Sequence, residues 1–354
     1  MTDTPQNLAD LGWSHFFQQQ LSLEEWETST PVRVFGLNRH LIDVAGVGGR
    51  RQVSLPISWL KFSVEQLPTV GDWLLLDAAG EPIRLLERTS LFKRMASGRE
   101  AKVQLMGANI DTLFIVTSCN QDFNLSRIER YLALSLDAGV EPVIVLTKID
   151  LSDEVERICA EAETLRPGMA VVAVNSKQTM AIEALKPWCG LGKTVALVGS
   201  SGVGKSTLVN TLLGDAVQET GAIRDLDAKG RHTTTARSLH LLTQGGLLLD
   251  SPGMRELQLG DCEEGVAALF AEIETVARGC RFSDCRHQGE AGCAVEAADQ
   301  RGEFDPRRLA NYLKFRSEQQ RTAETLEQKR RKEKQFSKVV KRAVKHKNRG
   351  CGEQ

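Results

Sequence analysis

The 354-residue chain has no apolar run approaching the ~20 residues that a membrane-spanning helix needs, so no membrane partner is expected. Its start, MTDTPQNLADLGW, lacks a basic segment followed by an apolar one, and no secretory leader is expected either. No repeat of fixed period runs through it. Net charge is nearly absent at −1, yet that value hides an asymmetry. Between residues 329 and 349 eleven Lys/Arg face one acid, Glu333, so this stretch carries +10 and leaves −11 for the rest. A basic tail on an acidic body points to an anionic partner, for which nucleic acid is the usual candidate. With 41% hydrophobic and 26% charged residues the composition is that of a soluble globular chain, long enough for two or three domains. The cytosol is the default location. Cys119, Cys159, Cys189, Cys262 and Cys351 are scattered and read as free thiols. Cys280, Cys285 and Cys293 crowd around His287 and call for another explanation.

Patterning divides the chain. Residues 1–30 form an extension with an amphipathic stretch at 8–23. Over 31–98 short β-rich runs (VRVFG, HLIDVAGV, RQVSLPI, DWLLLDA) are punctuated by Gly, Pro and Asn, the pattern of a small barrel. Strand spacing alone leaves OB-like and SH3-like barrels both open. Over 104–260 strands such as DTLFIVTS, EPVIVLTK and KTVALVGS alternate with helical stretches such as SRIERYLALSLDAG, which predicts a largely parallel sheet flanked by helices. Residues 263–316 read as helical around the Cys/His knot, and 317–354 as a basic helix or tail.

Gly199, Ser200, Ser201, Gly202, Val203, Gly204, Lys205 and Ser206 satisfy GxxxxGK[ST], with the strand TVALV before them and a helix from Thr207 on. Glycines let backbone N–H groups turn inward around phosphates, and the helix N-terminus adds favourable potential. Lys205 would reach the terminal phosphates and the Ser206 hydroxyl would ligate magnesium. Thr147, Lys148, Ile149 and Asp150, at the end of VIVL, choose the base. A carboxylate at Asp150 can accept from the guanine N1–H and exocyclic amine, a pair that adenine does not offer. The Lys148 stem can cover the base, and Asn175, Ser176 and Lys177 follow the next strand to meet its far side. Asp250 of DSPG is placed for the magnesium shell and the Gly253 N–H for a γ-phosphate. GRHTTT at 230–235 supplies a switch threonine, Thr234 and Thr235 among the three candidates.

The order of these motifs is rotated. A standard GTPase runs phosphate loop, threonine switch, DxxG, then base motifs, whereas here TKID and NSK come first. The same sheet can be built if the chain enters it at another strand, and the γ-phosphate sensors then lie at the domain exit. From there the chain runs within about thirty residues to Cys280, Cys285, His287 and Cys293, three thiolates and one imidazole, the composition of a closed structural zinc site.

These motifs in this order resemble the circularly permuted ribosome small-subunit-dependent GTPase A family (RsgA/YjeQ). The likeness extends over about residues 32–315. It includes VGDWL at 70–74, ANID at 108–111, RYL at 130–132, GVGKSTL at 202–208, GRHTTT at 230–235 and CRFSDCRHQGEAGCAV at 280–295. Membership implies an N-terminal OB-fold β-barrel, a central circularly permuted α/β P-loop GTPase domain and a C-terminal α-helical zinc-binding domain. It also implies late maturation of the small (30S) ribosomal subunit as the task, with rRNA as a partner and slow GTP hydrolysis to GDP that the subunit stimulates. Met254 stands where Ras-like enzymes carry a water-orienting Gln, and the resemblance names His232 as the imidazole that could hold the attacking water instead. Thr147 stands where the family usually has Asn, so weaker guanine affinity is expected. Arg33, Arg39, Arg50, Arg51 and Lys61, with Trp59 and Phe62, form a candidate RNA-facing patch. A monomer is expected. The rival readings are an RNA-binding protein that uses GTP as a latch without turnover, and a P-loop ATPase or kinase, against which TKID argues.

Overall fold

The computed structural model describes residues 7–38, 41–95, 103–120, 122–178, 180–214, 237–251 and 262–322. These belong to two compact units, one ending with residue 251 and one beginning with residue 262.

In the first unit β1 (Thr30–Asn38) is shared between partners. Its first half pairs antiparallel with β4 (Trp73–Leu76) and its second half with β2 (Leu41–Gly46), with a register shift between Val34 and Gly36. A bulge of this kind bends a strand, which is how one strand can serve two directions of a small barrel. β3 (Gly49–Ser54) extends β2, and β5 (Pro82–Leu85) extends β4. The inward residues Val32, Val34, Ile42, Val44, Val53, Trp59, Leu74 and Leu76 make one core. A separate hairpin of β6 (Leu91–Met95) and β7 (Val103–Ala108) lies across the expected junction at 98–104.

Beyond it five strands run parallel. They are β8 (Thr112–Ser118), β9 (Glu141–Thr147), β10 (Ala170–Ala173), β11 (Thr194–Val198) and β13 (Leu247–Asp250), ordered β10-β9-β8-β11-β13. β8 is buried along its whole length and β9 after its first residue, which is why both read as unbroken apolar runs rather than alternating ones. α4 (Val155–Glu163) and α5 (Met180–Leu185) follow β9 and β10, and α6 (Lys205–Leu213) packs Leu208 and Leu212 on Phe114, Val116, Val145 and Val195. α3 (Leu125–Asp137) starts at Asn124, whose side chain accepts the Arg127 backbone N–H at 2.9 Å.

The barrel and the parallel sheet are one continuous hydrogen-bonded surface. β12 (Ser238–Leu241) runs antiparallel to β13 and meets β1 at Gly36–Ser238, giving the order β13-β12-β1-β2-β3.

The amphipathic stretch at 8–23 is broken into a 3-10 turn and two short helices, α1 (His15–Gln18) and α2 (Leu23–Thr28). Gly12 (φ +85°) ends the turn, and Ser22 opens α2 with a reciprocal cap, its Oγ accepting from the Glu25 N–H and the Glu25 carboxylate accepting from the Ser22 N–H. Leu11 and Phe17 are fully buried, and Trp13 stands edge-on to Trp73 at 4.8 Å. Arg33 joins this segment to the rest. It is buried, and its guanidinium donates to the carbonyls of Leu11, Gly71 (3.2 Å) and Asn109 (2.9 Å). Burial draws its pKa down to about 10, against the pull of Asp111 and Asp72, so it keeps its charge at neutral pH.

The second unit is helical, as its pattern predicts. α7 (Glu263–Leu269), α8 (Ala271–Ala277), α9 (Ala294–Gln300) and α10 (306–322) enclose Phe270, Tyr312 and Phe315, whose ring centroids lie 5.7 and 5.9 Å from Phe270. Among the described residues no helix is long and apolar enough to cross a membrane.

Candidate functional site

The five parallel strands present their carboxyl ends at one edge of the sheet, the place where open α/β sheets bind ligands. The phosphate loop leaves β11 there, flanked by β8 on one side and β13 on the other. Gly199 has φ +145°, and a Cβ on it would lie 2.1 Å from the Val116 carbonyl oxygen, so only glycine fits. Gly204 has φ +93° and caps α6. Lys205 is buried, and its Nζ donates to the carbonyls of Gly199 (2.8 Å) and Ser200. That interaction holds the ammonium in the loop, from which it can turn to a phosphate. Ser206 and Thr207 follow in the first turn of α6.

The base motifs, far earlier in the chain, meet this loop. A Cβ on Gly204 would lie 3.4 Å from Ser176 Oγ and 3.5 Å from Thr147 Oγ1. Thr147 is fully buried, and its hydroxyl faces two carbonyls, Val203 at 2.5 Å and Thr117 at 3.2 Å. The tie between the base motif and the phosphate loop therefore persists although the family's usual amide is absent. Lys148 adopts a left-handed backbone (φ 56°), which turns the chain so that Ile149 and Asp150 enter a 3-10 turn with Asp150 exposed. The Asn175 side chain accepts the Lys177 N–H at 3.1 Å, and the Ser176 carbonyl accepts from Thr211 of α6 at 2.7 Å. Both bonds fix the NSK turn against the phosphate-loop helix.

Asp250 ends β13, and the pairing of Ala196 with Leu249 sets it beside the last residues of β11. Two buried hydroxyls at this edge, Ser176 Oγ and Ser251 Oγ, have no hydrogen-bond partner among the described residues. Buried polar atoms rarely stay unpaired, and a bound polar ligand is one reason for exceptions. His232, Thr234, Thr235, Gly253 and Met254 lie outside the described residues, as do Arg39, Cys351 and the basic stretch at 329–349.

In the second unit Cys280, Cys285, His287 and Cys293 place one ligand atom each within 4.8 Å of one another. His287 Nδ1 lies 3.6 Å from Cys280 Sγ and 3.4 Å from Cys293 Sγ. A tetrahedral ion with bonds of ~2.3 Å to sulfur and ~2.0 Å to nitrogen needs about 3.5 Å between such atoms, so the donor set and its spacing fit zinc. Backbone N–H groups support the sulfurs, Ala294 on Cys280 and Glu296 on Cys293, both at 3.4 Å. Burial raises the Cys280 thiol, but hydrogen bonds from the Val295 and Ala294 N–H groups and from the Cys285 and Cys293 thiols together leave the pKa below the ordinary value. At Cys285 the His287 N–H pulls downward, while burial and the neighbouring Cys293 and Cys280 push the thiol up to about 11. Three sulfurs at one point cannot all ionise without a cation among them.

The candidate RNA-facing patch does not survive as drawn. Arg33 and Trp59 are buried, the first spent on three carbonyls and the second in the barrel core. Arg50 and Arg51 remain at the surface, with Phe35, Arg237 and His240 around a cavity of about 460 Å³. The sequence signal for burial was present at Arg33 only as its setting in the apolar run VRVFG. One contact escaped sequence reasoning altogether: Arg127 of α3 donates to Ser200 Oγ at 2.6 Å.

The family model described as RsgA GTPase matches residues 85–260. A protein named small ribosomal subunit biogenesis GTPase RsgA 2, from Vibrio vulnificus, is 50% identical over 335 residues, 95% of this chain and 94% of its own length. This chain belongs to the RsgA GTPase family. Its reaction is GTP hydrolysis, and magnesium accompanies the nucleotide in such enzymes. A Mesorhizobium japonicum protein named small ribosomal subunit biogenesis GTPase RsgA is 48% identical, covering 90% of this chain and 92% of its own. The crystal structure of YjeQ from Thermotoga maritima shares the fold, with 27% identity, a TM-score of 0.60 and coverage of 82% and 98%. A model described as ABC transporter also matches residues 185–345, a stretch that contains the phosphate loop common to P-loop proteins. The guanine motif lies outside that stretch.

Proposed function

We propose that the chain binds the small (30S) ribosomal subunit and assists its late maturation, hydrolysing GTP with stimulation by the subunit. The observation that carries the chemistry is the convergence of Thr147, Ser176 and Gly204 at one sheet edge, which brings a guanine motif and a phosphate loop to the same ligand. The ribosomal task rests on the names of the relatives quoted above.

In this reading Asp150 accepts from the guanine N1–H and amine, Lys148 covers the base, and Ser176 and Lys177 close its far side. Backbone N–H groups from Gly199 to Thr207 take the phosphates, and Lys205 turns from the Gly199 and Ser200 carbonyls to the terminal ones. Ser206 and Asp250 would hold magnesium, which supplies charge neutralisation of the phosphates. Thr234 or Thr235 and the Gly253 N–H would sense the γ-phosphate, and His232 would hold the attacking water. The water oxygen bonds to phosphorus, the β–γ P–O bond breaks with its electron pair going to GDP, and the proton leaves on inorganic phosphate. Cys280, Cys285, His287 and Cys293 would hold one structural zinc ion. The domain limits that go with this reading are 31–98, 104–260 and 263–316, with a basic segment at 317–354 that contacts rRNA. A cytoplasmic monomer fits the same reading.

Co-sedimentation with purified small subunits tests it. The GTP-analogue form should pellet with the subunits and the GDP form should be released. Equal behaviour of the two forms would contradict a nucleotide-controlled ribosomal role.

A further inference from the structure

The paired arginines of this molecule show what Arg127 lacks. Arg84 is balanced by Glu25 at 2.6 Å, Arg157 by Glu154 at 2.8 Å, Arg301 by Glu303 at 2.6 Å and Arg308 by Glu272 at 2.6 Å. Arg127 is set in the first turn of α3 by the Asn124 cap, and its guanidinium crosses to the phosphate loop to meet Ser200 Oγ at 2.6 Å. Among the described residues no carboxylate pairs with it. The Lys205 ammonium donates to the carbonyl of the same residue, Ser200. Two cations thus converge on one loop residue, one at its side chain and one at its backbone. Like charges so placed repel, and the arrangement is relieved by an anion lying between or beside them. The loop that they share is the one whose N–H groups receive phosphates.

A guanidinium carries five N–H donors in a rigid fork, and the bond to Ser200 uses one of them. The others are free in number to meet phosphate oxygens without breaking that bond. Arginine brought to a terminal phosphoryl group, in cis or from a partner, is a known way to stabilise charge that spreads as the β–γ bond opens. Met254 cannot orient a water, which leaves this site in need of groups beyond the usual glutamine.

We propose that Arg127 is a positioning residue of the hydrolytic site. It acts in cis, holding the phosphate loop through Ser200 and adding positive charge on the terminal-phosphate side as GTP is cleaved. This rests on the GTPase reading above. Arg127 is exposed and 73 residues from Ser200 in sequence, so its side chain can be replaced without disturbing a core.

The test is single-turnover GTP hydrolysis by the full-length chain with magnesium, run beside binding of fluorescent GDP. Wild type, Arg127→Ala and Arg127→Lys are compared, with and without guanidinium chloride at tens of millimolar. The expected result is a rate reduced about tenfold or more in Arg127→Ala with GDP affinity within about threefold of wild type. Arg127→Lys, which keeps the charge but not the fork, should fall between the two. Free guanidinium should restore part of the Arg127→Ala rate and leave wild type unchanged, an effect that loss of a mere structural brace does not show. An Arg127→Ala rate within about twofold of wild type would overturn the proposal. So would equal losses of rate and GDP affinity without rescue. A wild-type chain that hydrolyses no GTP would instead overturn the GTPase reading on which the proposal stands.

Discussion

The nucleotide cradle and the Cys/His cluster are built in opposite ways. The cradle joins residues distant in sequence, such as Thr147 and Val203, which are 56 positions apart and bonded at 2.5 Å. Strand register holds them together, with Leu146 opposite Ala173 and Val195 opposite Thr112. The cluster draws all four ligands from residues 280–293, and its local backbone is loop and turn. A cradle fixed by a buried sheet exists before its ligand arrives. A cluster of three thiols has no buried sheet beneath it, and its sulfurs repel once ionised, so in the reading proposed above a cation would hold it.

The largest expected effect lies on the cluster side of that contrast. Removing the metal with a strong chelator, or replacing Cys285 with Ser, should take bound zinc from about one per chain toward none. The helical signal of the second unit should fall with it, since structural zinc contributes roughly 10 kcal/mol or more to small sites. Metal analysis with circular dichroism reads this, and GDP affinity should stay within a small factor. A parallel loss of GDP binding would break the distinction between the two regions.

On the cradle side Lys205→Ala should be the most damaging single change, lowering GTP affinity or turnover about a hundredfold or more as a charge-assisted contact to phosphate is lost. The fold should persist, which thermal unfolding would check. Asp150→Asn comes next. Guanine affinity should fall by about 2–3 kcal/mol, because the carboxylate's paired acceptors become one acceptor and one donor. The new donor suits the C2 carbonyl of xanthine, so affinity for xanthosine triphosphate should rise. Titration of both nucleotides reads the exchange, and equal weakening for both would remove Asp150 from the base site.

Thr147→Val is the subtlest. It keeps the side-chain shape and removes the hydroxyl bond to Val203, leaving a buried carbonyl underpaired at a cost of about 1–3 kcal/mol. Thr147→Ser should restore most of it. Indistinguishable GDP affinities for all three would show that the cradle does not depend on this tie.

The same contrast governs what could be read from the sequence. Phosphate loop, TKID, NSK, DSPG and the Cys/His run are local patterns, and the parallel sheet follows from the alternation of strand and helix. Local patterns do not reveal pairing between distant strands. The bond between β1 and β12 joins a barrel to a nucleotide sheet through residues 202 positions apart, and nothing at Gly36 or Ser238 announces it. The burial of Arg33 shows in sequence only as its place in VRVFG, because it depends on three carbonyls supplied by three separate segments. The extension at 8–28 follows the same rule. Its amphipathic pattern marks an apolar face but does not name Trp73 of the barrel as the partner of that face. The Arg127–Ser200 contact is illegible in sequence for the same reason.

Phosphate release with and without purified small subunits tests most directly whether the ribosome controls GTP turnover. GTP should be hydrolysed slowly alone and many-fold faster with subunits, ATP should remain inert, and His232→Ala and Lys205→Ala should abolish the stimulated rate. Subunits that bind the chain yet leave the GTP rate unchanged would contradict it and favour a latch without turnover.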